Sequence, residues 1–201
     1  MKVVPIIRIK PIDPIGHITE RNDGPRCDRS QVEYFKRNWN QILPPKVIRT
    51  TKKHKDVMHG ARSVNMIVGK KYARSTQDFD IYAHQPPNRA KEIEDHIDRE
   101  CGCDMAYVEK RIVPNISGIE DELMADKLYI VKTPNNPNGD VDYMPLPPNL
   151  PTIRRKGLYH ESLEEAHRKA KRGLNQPMRA HKASQDIVRI EAYWLEKKRR
   201  R

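Results

Sequence analysis

The run Asp78-Phe79-Asp80-Ile81-Tyr82 alternates acidic and bulky apolar side chains, the pattern of a half-buried strand. In a strand, residues two apart share a face. Asp78 and Asp80 therefore stand side by side, with Phe79 and Ile81 turned to the core. Two like charges held that close raise one another's proton affinity, and a bound divalent cation relieves the repulsion. Mg²⁺ is usually held by one or two carboxylates, with substrate phosphates and water completing its shell.

Upstream, Val57-Met58-His59 reads as a short strand, Gly60 as a turn, and Ala61 to Val68 as a helix. A glycine there lets the backbone turn closely, and the helix start presents unpaired N–H groups to an anion. The basic loop Gly69 to Thr76 then feeds an Asp78–Ala83 strand. Downstream, Asn88 opens an amphipathic helix carrying Ile93 and Ile97, and Gly102 suits its C-terminal cap. Residues 105–113 and 127–133 read as strands and residues 134–139 as a turn. Asp140-Val141-Asp142-Tyr143-Met144 repeats the acid-apolar alternation. Asp140 and Asp142 share a strand face, so either carboxylate could join the first pair.

The charge balance points to a polyanion. Lys plus Arg number 39 against 27 Asp plus Glu in 201 residues, a net charge of +12. Such an excess favours nucleic acid, nucleotide or an acidic membrane face. No stretch approaches the roughly 20 apolar residues of a membrane span, and Met1 to Arg8, interrupted by Pro5, is not a signal peptide. Three cysteines do not make a disulfide framework, which suggests a reducing, cytoplasmic setting. Cys101-Gly102-Cys103 lacks a second cysteine pair, Cys27 being distant, so a zinc site would have to borrow histidines.

The flanks read as additions to this centre. Residues 3–9 suggest an edge strand, and residues 11–27, rich in Pro and Gly, a loop. A helix begins near Asp28 or Ser30, carries Val32, Phe35, Trp39 and Ile42 at helical spacing, and stops at Pro44-Pro45. Pro145 to Pro151 leads the chain out of the sheet. Ser162 and Glu165 have the spacing of a capping box opening a basic helix (Arg168, Lys169, Lys171, Arg172) that Gly173 breaks. Pro177 starts a long last helix, and residues 197–201 form a frayed basic tail. The fold class is α+β: a small mixed sheet carrying the carboxylates and flanked by helices. Residues 1–55 form an N-terminal extension, 56–150 the core and 151–201 a C-terminal basic helical segment.

Gly60-Ala61-Arg62-Ser63-Val64-Asn65, Thr76-Gln77-Asp78-Phe79-Asp80-Ile81-Tyr82 and the later Asp142 together resemble the polymerase-beta-like nucleotidyltransferase superfamily, in particular its minimal and abortive-infection-toxin-type members. The resemblance spans roughly residues 56–195. It implies transfer of a nucleotidyl group from an NTP, such as ATP, to an acceptor hydroxyl, with Mg²⁺ or Mn²⁺ held by Asp78, Asp80 and Asp142. The backbone of Gly60, Ala61 and Arg62 and the hydroxyl of Ser63 would meet phosphates, and Lys182 on the last helix would reach the triphosphate. One departure stands out: Ala61 occupies the place of a second Gly or a Ser. With the basic balance, RNA (tRNA included) is the favoured acceptor, ahead of a protein hydroxyl or a small molecule. Residues 1–55 offer a place for a protein partner. The alternative is a degenerate transferase fold that binds nucleic acid or a partner chain without turnover.

Overall fold

A computed structural model describes residues 18–20, 25–113 and 126–200. The strand expected over residues 3–9 lies outside them. Among the described residues, eight strands form one mixed sheet in the order β1-β4-β5-β6-β3-β2-β8-β7. They are β1 (Ile18–Glu20), β2 (Val57–His59), β3 (Phe79–Ala83), β4 (Tyr107–Val113), β5 (Asp126–Thr133), β6 (Asn136–Pro145), β7 (Thr152–Arg155) and β8 (Leu158–Glu161). Five α-helices accompany them: α1 (Arg29–His54), α2 (Gly60–Val68), α3 (Pro86–Cys101), α4 (Leu163–Gly173) and α5 (Pro177–Arg199). The α+β class, the mixed sheet and the C-terminal helices match the sequence reading.

The alternation in β3 and β6 builds the principal core. Phe79, Ile81, Val141 and Tyr143 are buried together with Phe35, Leu43 and Val47 of α1 and Ile93 and Ile97 of α3. A second cluster joins Val64 and Ile67 of α2 to Leu163 of α4 and Ile190 of α5. The acidic residues between the apolar ones on β3 and β6 are thereby turned to the other face of the sheet.

Several local expectations are corrected. Helix α1 does not stop at Pro44-Pro45 but runs through both to His54. A proline inside a helix costs about 3 kcal/mol through a lost hydrogen bond and a clash. Ile42, Leu43 and Val47 bracket the pair and are all buried, so packing outweighs the break. The start is as read, with Asp28 capping in a reciprocal box with Gln31. Part of the expected 11–27 loop is strand, since β1 pairs with β4. The β5–β6 turn is shorter than residues 134–139, because β6 already begins at Asn136. Pro145–Pro151 does not lead out of the sheet: the β7–β8 hairpin follows, and β8 pairs in parallel with β2. Ser162 caps α4, but the Glu165 carboxylate pairs with Arg168 and does not close a box. Helix α5 continues through most of the expected frayed tail, to Arg199.

The cysteine reading also changes. Cys27 and Cys103, 76 residues apart, are joined by a disulfide, and Cys101 is the free, buried thiol. A bond that closes a loop of that size restricts the unfolded chain. Among the described residues no helix is long and apolar enough to cross a membrane.

Candidate functional site

The strand-turn-helix at 57–68 is as the sequence suggests, and its glycine has a structural reason. Gly60 has φ +66°, and a Cβ on it would overlap Oδ2 of Asp80. Only glycine permits both the backbone angle and the approach. Across the sheet, Asp80 is in register with His59 of β2 on one side and with Asp142 of β6 on the other. Asp142 is opposite Ile130 of β5, which is opposite Glu109 of β4. His59, Asp80, Asp142, Ile130 and Glu109 thus form one row over five strands, on the face away from α1 and α3.

The middle of that row carries uncompensated acid. Burial pushes the Asp80 carboxyl up to about 8, and the neighbouring Asp78 and Asp142 add to it; Arg179 and Arg74 pull the other way. Burial likewise raises Asp142 to about 7, helped by Asp78 and opposed by Arg111 and Lys132. Asp142 Oδ1 is buried without a hydrogen-bond partner, an arrangement that leaves its desolvation unrepaid. Asp78 is oriented from outside the pair: Thr76 Oγ1 donates to its Oδ1 at 2.5 Å. Asp140 is engaged elsewhere, its carboxylate accepting from Trp39 Nε1 at 3.0 Å and Thr133 Oγ1 at 2.6 Å. Between the two acids of β6, Asp142 is therefore the one beside Asp80.

These observations bear on a divalent cation. Raised proton affinity at two adjacent carboxyls and an orphaned buried oxygen fit a missing positive charge. Among the described residues no three His, Cys, Asp or Glu side chains are grouped closely enough to hold an ion by themselves.

Positive charge gathers beside the row. His59 is buried at 8% exposure, stacks on Tyr82 with ring centroids 3.8 Å apart, and its Nε2 has no partner. Burial holds its pKa well below the ordinary value, with Lys169 and Arg179 adding to the effect. Lys169 Nζ donates to the Tyr82 hydroxyl at 2.6 Å and also meets Glu161. Arg74 and Arg189 both bind Asp186, each through an Nε–Oδ1 contact of 2.8 Å, and Arg189 Nη2 donates to the Ala61 carbonyl at 3.3 Å. Helix α5 is thus tied to the start of α2. No side chain caps that start, so its leading N–H groups remain available to an anion.

The remaining sequence candidates divide. Gly60 and Ala61 are at the site through their backbone. The Arg62 side chain turns back to the chain, donating from Nε to the Asp78 carbonyl at 3.0 Å and from Nη2 to the Thr76 carbonyl at 3.4 Å, with its guanidinium 3.9 Å from the Phe79 ring centre. The Ser63 hydroxyl is buried 3.1 Å from His160 Nδ1, away from any phosphate in solution. Lys182 is exposed on α5, whereas Arg179, one turn earlier, acts on both Asp80 and His59. Sequence reading chose Lys182 on that helix, and it gave His59 only a place in the short strand before Gly60. Arg74 and Lys169 were legible only as parts of basic runs.

No protein-family model matches the chain, and no curated protein matches it. Among solved structures, the Megavirus polyadenylate synthase is similar over 83% of this chain and 34% of its own length, with a TM-score of 0.58 and 16% identity. JHP933 from Helicobacter pylori is similar over 86% of this chain and 96% of its own length, with a TM-score of 0.34 and 11% identity. The first likeness shows a shared fold, and this chain spans 34% of that protein.

Proposed function

We propose that the chain is a metal-dependent nucleotidyltransferase that moves a nucleotidyl group from an NTP to an acceptor hydroxyl, with RNA the favoured acceptor. The observation that carries this reading is the register of Asp80 with Asp142 on adjacent parallel strands, both acids raised and Asp142 Oδ1 unpartnered. Asp78, Asp80 and Asp142 would hold Mg²⁺ or Mn²⁺, which when bound neutralises phosphate charge and activates the attacking oxygen. Gly60 lets Asp80 stand against the α2 start, and Thr76 holds Asp78 in place. The first N–H groups of α2 and the Arg179 and Arg74 guanidinium groups attract the triphosphate. Asp142, with its proton affinity near neutrality, suits acceptance of the proton from the acceptor hydroxyl. In the transfer the acceptor oxygen bonds to the α-phosphorus as the bond to the departing pyrophosphate breaks.

A second reading draws on Ala61 and Ser63. Ala61 has no hydroxyl, and that of Ser63 is buried against His160, so the motif offers phosphate no side-chain oxygen. A non-catalytic protein that binds nucleic acid accommodates both facts. The toxin-type assignment rests on the sequence resemblance alone.

Incubation with each labelled NTP, Mg²⁺ or Mn²⁺ and total RNA separates the readings. Transfer by the wild type, reduced at least about a thousandfold by Asp78→Asn/Asp80→Asn, is expected. Absence of label with every NTP, alongside salt-sensitive RNA binding unchanged in the double variant, overturns the enzymatic reading.

A further inference from the structure

Beyond the carboxylate row, a cleft of about 360 Å³ opens between α1, α2 and the turn that follows α2. Its floor is apolar, with Ile48 of α1, Met66 of α2 and Phe79 among its residues. Its polar wall is cationic: Arg62, Lys70 and Lys156 line it, and no acid does. Lys70 and Lys156 are exposed, and neither has an ion-pair partner among the described residues. Some surface cations are matched locally, as in Lys36 with Glu33, Lys71 with Glu196 and Lys91 with Asp95. The unmatched charge continues past the cleft. The Lys52 ammonium lies over the β7–β8 turn at Gly157, beside Arg154 and Arg155, both exposed.

We propose that this cleft and the basic edge beside it form a binding surface for single-stranded nucleic acid. Phosphates suit the row of unpaired cations. The apolar floor suits an unstacked base, which a single strand offers and a duplex withholds. Arg62 lines the cleft while its side chain holds the backbone carbonyls of Thr76 and Asp78, so the cleft lies behind the carboxylate strand, on the α1 face of the sheet. The assignment rests on the nucleotidyltransferase reading for its purpose, but its binding can be measured separately.

Fluorescence anisotropy with a labelled 20-nucleotide RNA, and with DNA of the same sequence, tests the surface across a salt series. Lys70→Glu/Lys156→Glu is expected to weaken binding at least tenfold and to flatten the slope of log K against log salt by about 1.4, at about 0.7 per lost phosphate contact on a single strand. Lys197→Glu/Lys198→Glu makes the same change of charge at the far end of α5 and is expected to cost less than threefold. Equal losses in the two variants, no loss in either, or no binding by the wild type overturns the surface. Equal binding of RNA and DNA assigns it to the backbone alone; weaker DNA binding assigns part of it to the ribose hydroxyl. The NTP assay distinguishes the two proposals. Label transferred to RNA with binding unchanged in Lys70→Glu/Lys156→Glu rejects this surface and leaves the enzyme, whereas the expected binding loss with no transfer by the wild type does the reverse.

Discussion

Glu109 and Asp142 lie in one row on one sheet face, two strands apart, and the protein treats them oppositely. Glu109, 7% exposed, is held by Arg111 and by Lys132, itself 7% exposed. Burial alone would raise its proton affinity, but those two cations overcome it and bring the carboxyl down to about 2. Asp142 and its neighbour Asp80 are raised to about 7 and about 8. Both groups are acids taken out of water on the same scaffold; only Glu109 has cations in direct contact. A protein under pressure for stability alone would pair or remove the second group. On the function proposed above, the unpaired group is the place a bound cation would take, at a cost to the folded state.

That contrast can be broken from either side. The largest expected stability effect is at the paired end. Glu109→Gln leaves the buried Lys132 without its anion and is expected to destabilise by about 2–4 kcal/mol at pH 7, measured by urea denaturation. The sign follows from the lowered folded pKa. Glu109 contributes stability that is present above its unfolded pKa near 4.5 and lost as pH falls toward about 2. The variant should lack that acid limb, and an unchanged acid limb would show the ion pairs to be without weight.

At the unpaired end the sign reverses. In metal-free buffer, stability held by protonated Asp80 is present below its unfolded pKa near 3.8 and lost as pH rises through about 8. Asp80→Asn does not titrate. It should therefore match the wild type near pH 4 and exceed it by about 1–2 kcal/mol at pH 8. Adding Mg²⁺ at pH 8 should raise the melting temperature of the wild type and not that of the variant. Parallel pH profiles for the two proteins would contradict the raised acid. The smallest effect belongs to Arg179→Ala, which removes a cation that moderates Asp80. The wild-type profile should move upward by about half a pH unit, and less in high salt.

How much of this could be read from the chain depends on how far apart the interacting residues are. Asp78-Phe79-Asp80 and Val141-Asp142-Tyr143 declare their strands and faces by period-two alternation, and both strands form. Gly60 announces its turn, and Gly102 ends α3 with φ +66°. The long reach of Arg189 to Ala61, of Trp39 to Asp140 and of His160 to Ser63 has no such local signature. Motif position makes the Ser63 hydroxyl a phosphate neighbour, whereas in the fold it lies buried against His160. Arg179 surpasses Lys182 as the cation near Asp80 because of where α5 lies, which helical spacing alone does not decide.

The sequence by itself determined the alternating acids, the glycine turn, the order of elements from β2 through α3 and the basic excess, because each depends on backbone geometry or composition within a few residues. Only the tertiary structure decided that α1 continues through two prolines, that β8 returns to pair with β2, that Cys27 reaches Cys103, and that Glu109 is neutralised while Asp80 and Asp142 are not. Those outcomes turn on burial and on charges brought together across tens of residues, and a local pattern carries no record of which distant group will arrive.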